Sequence, residues 1–263
     1  MSELVRTEQR GKLFDIVLNR PDKRNAINLE MYGGLEEALE GAARAEGVRA
    51  ILLRGEGPIF SAGIDVTTFM LLAEKYGPTW PQRMRGITHD FQSTLTKLER
   101  LERPVIALVH GHCLGLAMEL VLACDLRIAA AGTQLGLPET RLGIIPDVGG
   151  TTRLTRLVGP GRAKELILTG RTISAERAEA WGLVNQVVEP EGLLAAGEAM
   201  AEELAKAAPL AVGVAKRVID GLADLDRGLQ LEGWGQSQLF QTEDFQEAVQ
   251  SFLLRKEPAF KGK

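Results

Sequence analysis

Residues 105–131, VIALVHGHCLGLAMELVLACDLRIAAA, constrain the fold more than any other stretch of the chain. The run opens as an apolar segment of strand length, breaks at Gly111 and Gly115, and resumes as a helix-like segment whose first turn carries one acidic side chain, Glu119. A buried strand that turns at glycine into a helix is a unit of α/β architecture. The same turn leaves backbone N–H groups unpaired and pointing outward, where a developing negative charge can be held. Two readings stand at this level: plain buried structure, with Glu119 favoured near a helix N-terminus by the macrodipole, or a catalytic turn.

The flanking chain supplies partners for such a core. Residues 4–8 and 13–18 read as a hairpin, NRPDKRNAIN (19–28) as a turn-rich loop ending on Asn28 as a helix N-cap, and 50–54 as a strand. Between them, 29–45 carries Met31, Leu35, Ala38, Leu39 and Ala42 on one helical stripe. Residues 67–88 hold no sustained period and contain Gly77, Pro78, Pro81 and Gly86, which predicts a loop or broken helix; a helix is expected over 89–102. Strands are expected at 126–130 and within 132–139, and a loop at 143–150 leads to a helix at 151–157. Helices then follow at 163–168, 174–181, 193–206, 210–222, 225–240 and 245–254, with 184–188 as the only late strand. The order implies an α/β core over 1–190 and a helical region over 191–263.

With 263 residues, 45% of them hydrophobic, the chain can bury a full core without disulfides or metal staples. A net charge of −4 argues against a nucleic-acid footprint. Cys113 and Cys124 match neither a disulfide framework nor a zinc pattern and read as buried fillers. The start of the chain is polar, and no run approaches the roughly 18 apolar residues of a spanning helix, so no membrane partner and a cytoplasmic location are expected. Dinucleotide, P-loop, nucleophile-elbow and zinc-protease signatures are absent, and His89, His110 and His112 read as structural or solvated imidazoles, so no metal is expected.

What remains is a set of carboxylates beside glycine turns: Asp65, Glu119, Glu139 and Asp147. Two carboxylates facing one pocket can divide acid and base roles, because each raises the other's proton affinity. Each also has a structural alternative. Asp65 can close a tight turn or cap a helix, Glu139 can be a surface charge, and Asp147, between Pro146 and Gly149, suits an Asx-turn or N-cap.

Five segments together, LNRPDKRNAIN (18–28), FSAGIDV (60–66), VHGHCLGLAMELVLACDLRIAA (109–130), LGLPETRLGIIPDVGGTTRLTRLVG (135–159) and EPAFKG (257–262), resemble the enoyl-CoA hydratase/isomerase, or crotonase, family over nearly the whole chain. The resemblance implies a spiral of ββα units with a helical C-terminal region, assembled as trimers or paired trimers. It implies that the N–H groups of Ile64 and Leu116 form an oxyanion hole for a thioester carbonyl, and that Glu119 and Glu139 activate water and supply the α-proton. The substrate would be an acyl-CoA thioester, with coenzyme A as part of it and no prosthetic group. Lys23 and Arg24 would lie near its phosphates, Ala26 and the backbone of Ala62, Gly63, Ile64 and Asp65 along the adenine and pantetheine, and Phe260 and Lys261 at the nucleotide end, across a subunit interface.

The chain departs from the family pattern where Ile64 replaces alanine, where Leu116 and Ala117 replace glycines, and where Asp147 replaces the glycine of hydratases. Members that shift double bonds often carry an acid at that last position. Hydration of a 2-enoyl-CoA is therefore the leading reaction, and a 3,2-enoyl or dienoyl isomerase using Asp147 the alternative. A non-catalytic, RNA-binding relative would use the helix near 89–103, whose Lys97, Arg100 and Arg103 are matched by Asp90, Glu99 and Glu102.

Overall fold

The chain opens with the expected hairpin, in which β1 (Val5–Arg10) and β2 (Leu13–Leu18) pair antiparallel. In the computed structural model, which describes residues 3–221 and 225–263, Asn28 caps the next helix by accepting the N–H of Met31 at 2.9 Å. This helix, α1 (Leu29–Arg44), buries the whole stripe from Met31 to Ala42 that its spacing predicts. Strand β3 (Ala50–Gly55) then pairs parallel with β2.

Of the two alternatives for residues 67–88, a loop or a broken helix, the structure shows the broken helix. These residues form α2 (Thr67–Tyr76), a single 3-10 turn at Gly77–Thr79, and the first turns of α3 (Trp80–Arg100). The prolines fall where they do no harm. Pro78 lies in the connecting turn, and Pro81 lies in the first turn of α3, where its missing N–H would have had no intrahelical acceptor. Gly86 costs the helix about 1 kcal/mol relative to alanine, which the buried Leu95 and Leu98 offset at roughly 1.5–3 kcal/mol each. Phe69 and Trp80 lean together across the turn with ring centroids 6.3 Å apart.

The opening stretch becomes β4 (Val105–Val109), β5 (His112–Leu114) and α4 (Leu116–Leu122). Then come β6 (Leu126–Ala130), β7 (Gln134–Gly136), α5 (Gly150–Val158), α6 (Pro160–Thr169) and β8 (Thr172–Ser174). The chain continues with α7 (Ala175–Ala180), β9 (Gln186–Val188), α8 (Leu193–Ala205), α9 (Pro209–Asp220), α10 (Leu225–Leu239) and α11 (Glu243–Leu254). β8 corrects the expectation of one late strand: three residues are too short to show a two-residue period, and their partner β7 is distant in sequence. The helix expected over 210–222 ends at Asp220, and Leu222 lies outside the described residues.

The strands make a spiral. The larger sheet has the order β1-β2-β3-β4-β6-β9, parallel from β2 onward. After each of its inner strands the chain steps to a second, shorter row: Ile27 bridges Ile64, Ser61 bridges Cys113, and β5 pairs with β7. Each turn of the spiral thus lays one long strand and one short one, stacking 61–64 beside 113–116. One face of the larger sheet closes against the second row, α1 and α3, in a cluster that includes both cysteines. The other face, including Leu52, Ile106, Leu108 and Ile128, is covered by Leu193 and Ala201 of α8. Burial on both faces explains why β4 reads as an unbroken apolar run. Lys216 of α9 ties the helical region back to the core, with Nζ 2.7 Å from Asp125 Oδ2 and 2.8 Å from the Leu98 carbonyl.

Candidate active site

Two main-chain turns, one from each of two adjacent spiral turns, come together at the end of the short row. Ser61 Oγ accepts the N–H of Gly63 at 3.1 Å and donates to the Asn25 carbonyl at 2.7 Å, which curls residues 61–64 tightly. Gly63 has φ 94°, and a side chain there would put Cβ 2.5 Å from the Leu114 carbonyl oxygen and 3.5 Å from the Leu116 nitrogen. Only glycine allows this approach. The N–H groups of Ala62, Gly63 and Asp65 are bonded to the Arg24 carbonyl, Ser61 Oγ and the Ile27 carbonyl. Among the described residues, the N–H of Ile64 and that of Leu116 have no acceptor.

Leu116 opens α4, and one turn later stands Glu119, only 2% exposed. Its Oε1 accepts the N–H groups of Val148 and Gly150, both at 2.8 Å, at the N-terminus of α5. Gly150 must be glycine here, since a Cβ would lie 2.9 Å from both Cγ and Oε1 of Glu119. Glu139 begins a 3-10 turn just after β7 and reaches Gly115, where its Oε1 would lie 3.0 Å from an added Cβ. Its Oε2 is buried with no hydrogen-bond partner.

Burial pushes the Glu119 carboxyl up to about 8, opposed by the Gly150 N–H and reinforced by the charges of Glu139 and Asp147. Glu139 is pushed up to about 7, again by burial first, with Asp147 adding to it. Asp147 therefore acts on both glutamates and Glu139 on Glu119, an outcome that sequence spacing left open. Asp147 makes neither the Asx-turn nor the helix cap that Pro146 and Gly149 suggest: its Oδ2 accepts the Thr88 hydroxyl at 2.5 Å, and its carbonyl accepts Gln92 Nε2 at 2.6 Å. Thr88 and Gln92, with Thr96 and Glu99, were invisible as site neighbours. Their signal is a polar stripe at i, i+4, i+8 and i+11 along α3.

The side chain of Asp65 is occupied. Its Oδ2 meets Arg20 Nη1 at 2.6 Å, its Oδ1 takes the Thr67 hydroxyl at 2.7 Å, and these contacts, Thr67 foremost, hold its carboxyl down at about 2. It closes the turn, the structural alternative raised by the sequence. Lys23 and Arg24 are exposed on a loop that touches residue 62 through the Ala62 N–H and Arg24 carbonyl, 3.0 Å apart. Ala26 completes that loop, its carbonyl accepting Arg20 Nη1 at 3.0 Å. Phe260 and Lys261 are not brought to this site within the chain. The Phe260 carbonyl accepts Arg49 Nη2 at 2.7 Å, at the opposite end of β3, and Asp244 Oδ1 takes the Lys261 N–H at 2.7 Å. Of the basic residues suggested as an RNA face, Lys97 on α3 is paired with Glu36, and Arg103, beyond the end of α3, donates to the carbonyls of Ala42, Ala43, Ala45 and Val48. His110 Nε2 lies 2.9 Å from the Gly57 carbonyl, as a structural imidazole would. Among the described residues no group of three or more His, Cys, Asp or Glu is placed to hold a metal ion, and no helix is long and apolar enough to cross a membrane.

Two unpaired N–H groups beside carboxylates that exchange protons near neutrality can hold an enolate and move the protons that make it. A family model described as enoyl-CoA hydratase/isomerase matches residues 8–263. The chain belongs to the enoyl-CoA hydratase/isomerase family. It is 37% identical to a short-chain-enoyl-CoA hydratase of Clostridium acetobutylicum, over 97% of each chain. It is 35% identical to a crotonyl-CoA hydratase of Syntrophomonas wolfei over 99% of each. Among solved structures, an enoyl-CoA hydratase from Bacillus anthracis superposes with a TM-score of 0.91 at 37% identity, covering 99% of this chain and 100% of that one. The crotonase fold expected from the sequence is the fold observed, with its helical C-terminal region.

Proposed function

We propose that the chain adds water across the 2,3 double bond of a 2-enoyl-CoA thioester. The observation that carries this reading is the pair of acceptor-free N–H groups, Ile64 and Leu116, beside the buried Glu119 and Glu139. The thioester carbonyl accepts both N–H groups. Water attacks C3 as an ionised carboxylate of the pair takes its proton, negative charge moves onto the thioester oxygen, and the protonated carboxyl of the pair then returns a proton to C2. The pair holds one proton before and after the addition: one carboxylate gains the proton of water, and the other gives its own to C2. Each hole donor contributes about 3 kcal/mol in comparable sites.

Lys23 and Arg24 face the CoA phosphates, and the loop of Ala26 with residues 62–65 follows the pantetheine and adenine. Phe260 and Lys261 act on the site of a neighbouring subunit, in a trimer or pair of trimers formed by the helices after residue 190. Coenzyme A arrives with the substrate, no prosthetic group is used, and the reaction is cytoplasmic.

The position of Asp147, close enough to raise both glutamates, favours a second reading, transfer of a proton along the acyl chain of a 3-enoyl-CoA. One paired assay separates the two. The protein should bleach the conjugated thioester absorbance of but-2-enoyl-CoA, and Glu119→Gln and Glu139→Gln should each lose at least about a hundredfold. Unchanged rates in both variants would refute the hydratase. Turnover of only a 3-enoyl-CoA, abolished in Asp147→Asn, would establish the isomerase.

A further inference from the structure

Glu119 is held by peptide groups, and those peptide groups are themselves held by a side chain. Arg153, in the first turn of α5, is largely buried, with only 12% of its side chain exposed. Its Nε and Nη2 meet Glu99 Oε1 and Oε2 at 2.7 and 2.9 Å, a two-pronged pair that fixes the plane of the guanidinium. From that plane Nη2 also reaches Thr96 Oγ1 at 3.3 Å, and Nη1 donates to the Val148 carbonyl at 3.0 Å. The guanidinium points its Nη1 end at Gly149, which has φ 107°, and any side chain there would overlap Nη1.

The consequence is geometric. Val148 is bound from both sides, its carbonyl by Arg153 and its N–H by Glu119; Gly149 has no room for a side chain against Nη1; Gly150 supplies the second N–H to Glu119. We propose that Arg153, braced by Glu99, is a positioning residue that sets the two peptide N–H groups clasping Glu119, and so fixes which carboxylate oxygen faces the substrate. This rests on Glu119 being catalytic. Arg153 touches neither substrate nor the reacting atoms. Lysine cannot replace it, because a single ammonium cannot hold two carboxylate oxygens, a hydroxyl and a carbonyl in one plane.

The test is a double-mutant cycle in the full-length protein with but-2-enoyl-CoA, using wild type, Glu119→Gln, Arg153→Met and the double variant. Arg153→Met should lower kcat by about tenfold to a hundredfold with KM within about threefold, as a small misplacement of a catalytic group does. In the Glu119→Gln background the same change should cost less than about twofold, since the group it positions is already disabled. A full multiplicative loss in the double variant, or wild-type kcat in Arg153→Met, would overturn the proposal. Glu99→Gln should move kcat in the same direction, and it carries the same cycle if the methionine variant does not fold. If Glu119→Gln itself turns over like wild type, the reading of the catalytic pair fails. If Glu119→Gln is slow and neither Arg153→Met nor Glu99→Gln differs from wild type, the positioning role alone fails.

Discussion

At the scale of the residue, Glu119 commits one oxygen, Oε1, to the N–H groups of Val148 and Gly150, which leaves Oε2 to exchange a proton. Such a carboxyl also ties stability to pH. Burial raises it to about 8, above its ordinary value of 4.5, so between those limits the folded chain keeps a proton that the unfolded chain has released. The stabilising effect is complete below pH 4.5 and is lost as pH rises through about 8. Glutamine at 119 is neutral throughout and still presents an oxygen to both N–H groups. The melting temperature of Glu119→Gln minus that of wild type should therefore increase between pH 5 and pH 9, each tenfold change in proton affinity being about 1.4 kcal/mol. A difference that stays flat in differential scanning calorimetry would mean that Glu119 titrates normally.

At the scale of the element, legibility followed locality. α1 and β4 were readable because each carries its own signal, an apolar stripe after an N-cap and a run buried on both faces. α2 and the start of α3 were readable only as a loop or a broken helix, because prolines and glycines mark breaks only when their position within a helix is known. The carboxylates Glu119, Glu139 and Asp147 were visible beside their glycines, and the family pattern implied roles for them. Their meeting was not visible, since it depends on the spiral's stacking and on the polar stripe of α3. Lys216 illustrates the same limit: nothing in α9 announces that its ammonium ends beside Asp125, 91 residues earlier. Lys216→Met would leave that carboxylate unpaired where it also takes the Val105 N–H at 2.7 Å. A loss of roughly 3–5 kcal/mol is expected, seen as a melting point lower by about 6–10 °C. Adding Asp125→Asn should restore part of it, and a melting point unchanged in Lys216→Met would show that the tie carries no stability.

At the scale of the whole molecule, the site lies at one end of the parallel strands, and the C-terminal segment is fastened at the other. Arg49 holds the Phe260 carbonyl, and Asp244, itself buried, takes the N–H groups of Lys261 and Gly262. The chain's own tail is thereby kept from its own site. The spiral has a different consequence, one of timing. Ile64 and Leu116 come from separate turns of the winding, and they become neighbours only when Gly63 has seated against Leu114. Parallel pairings between distant segments are slow to form, whereas helices form from local contacts. On dilution from denaturant, the far-ultraviolet helix signal should return before but-2-enoyl-CoA turnover does, with a lag between them; coincident recovery would show that the winding is not the slow step. Catalysis in this protein is then the last property of the native state to appear, and a refolding chain can be rich in helix while still chemically silent.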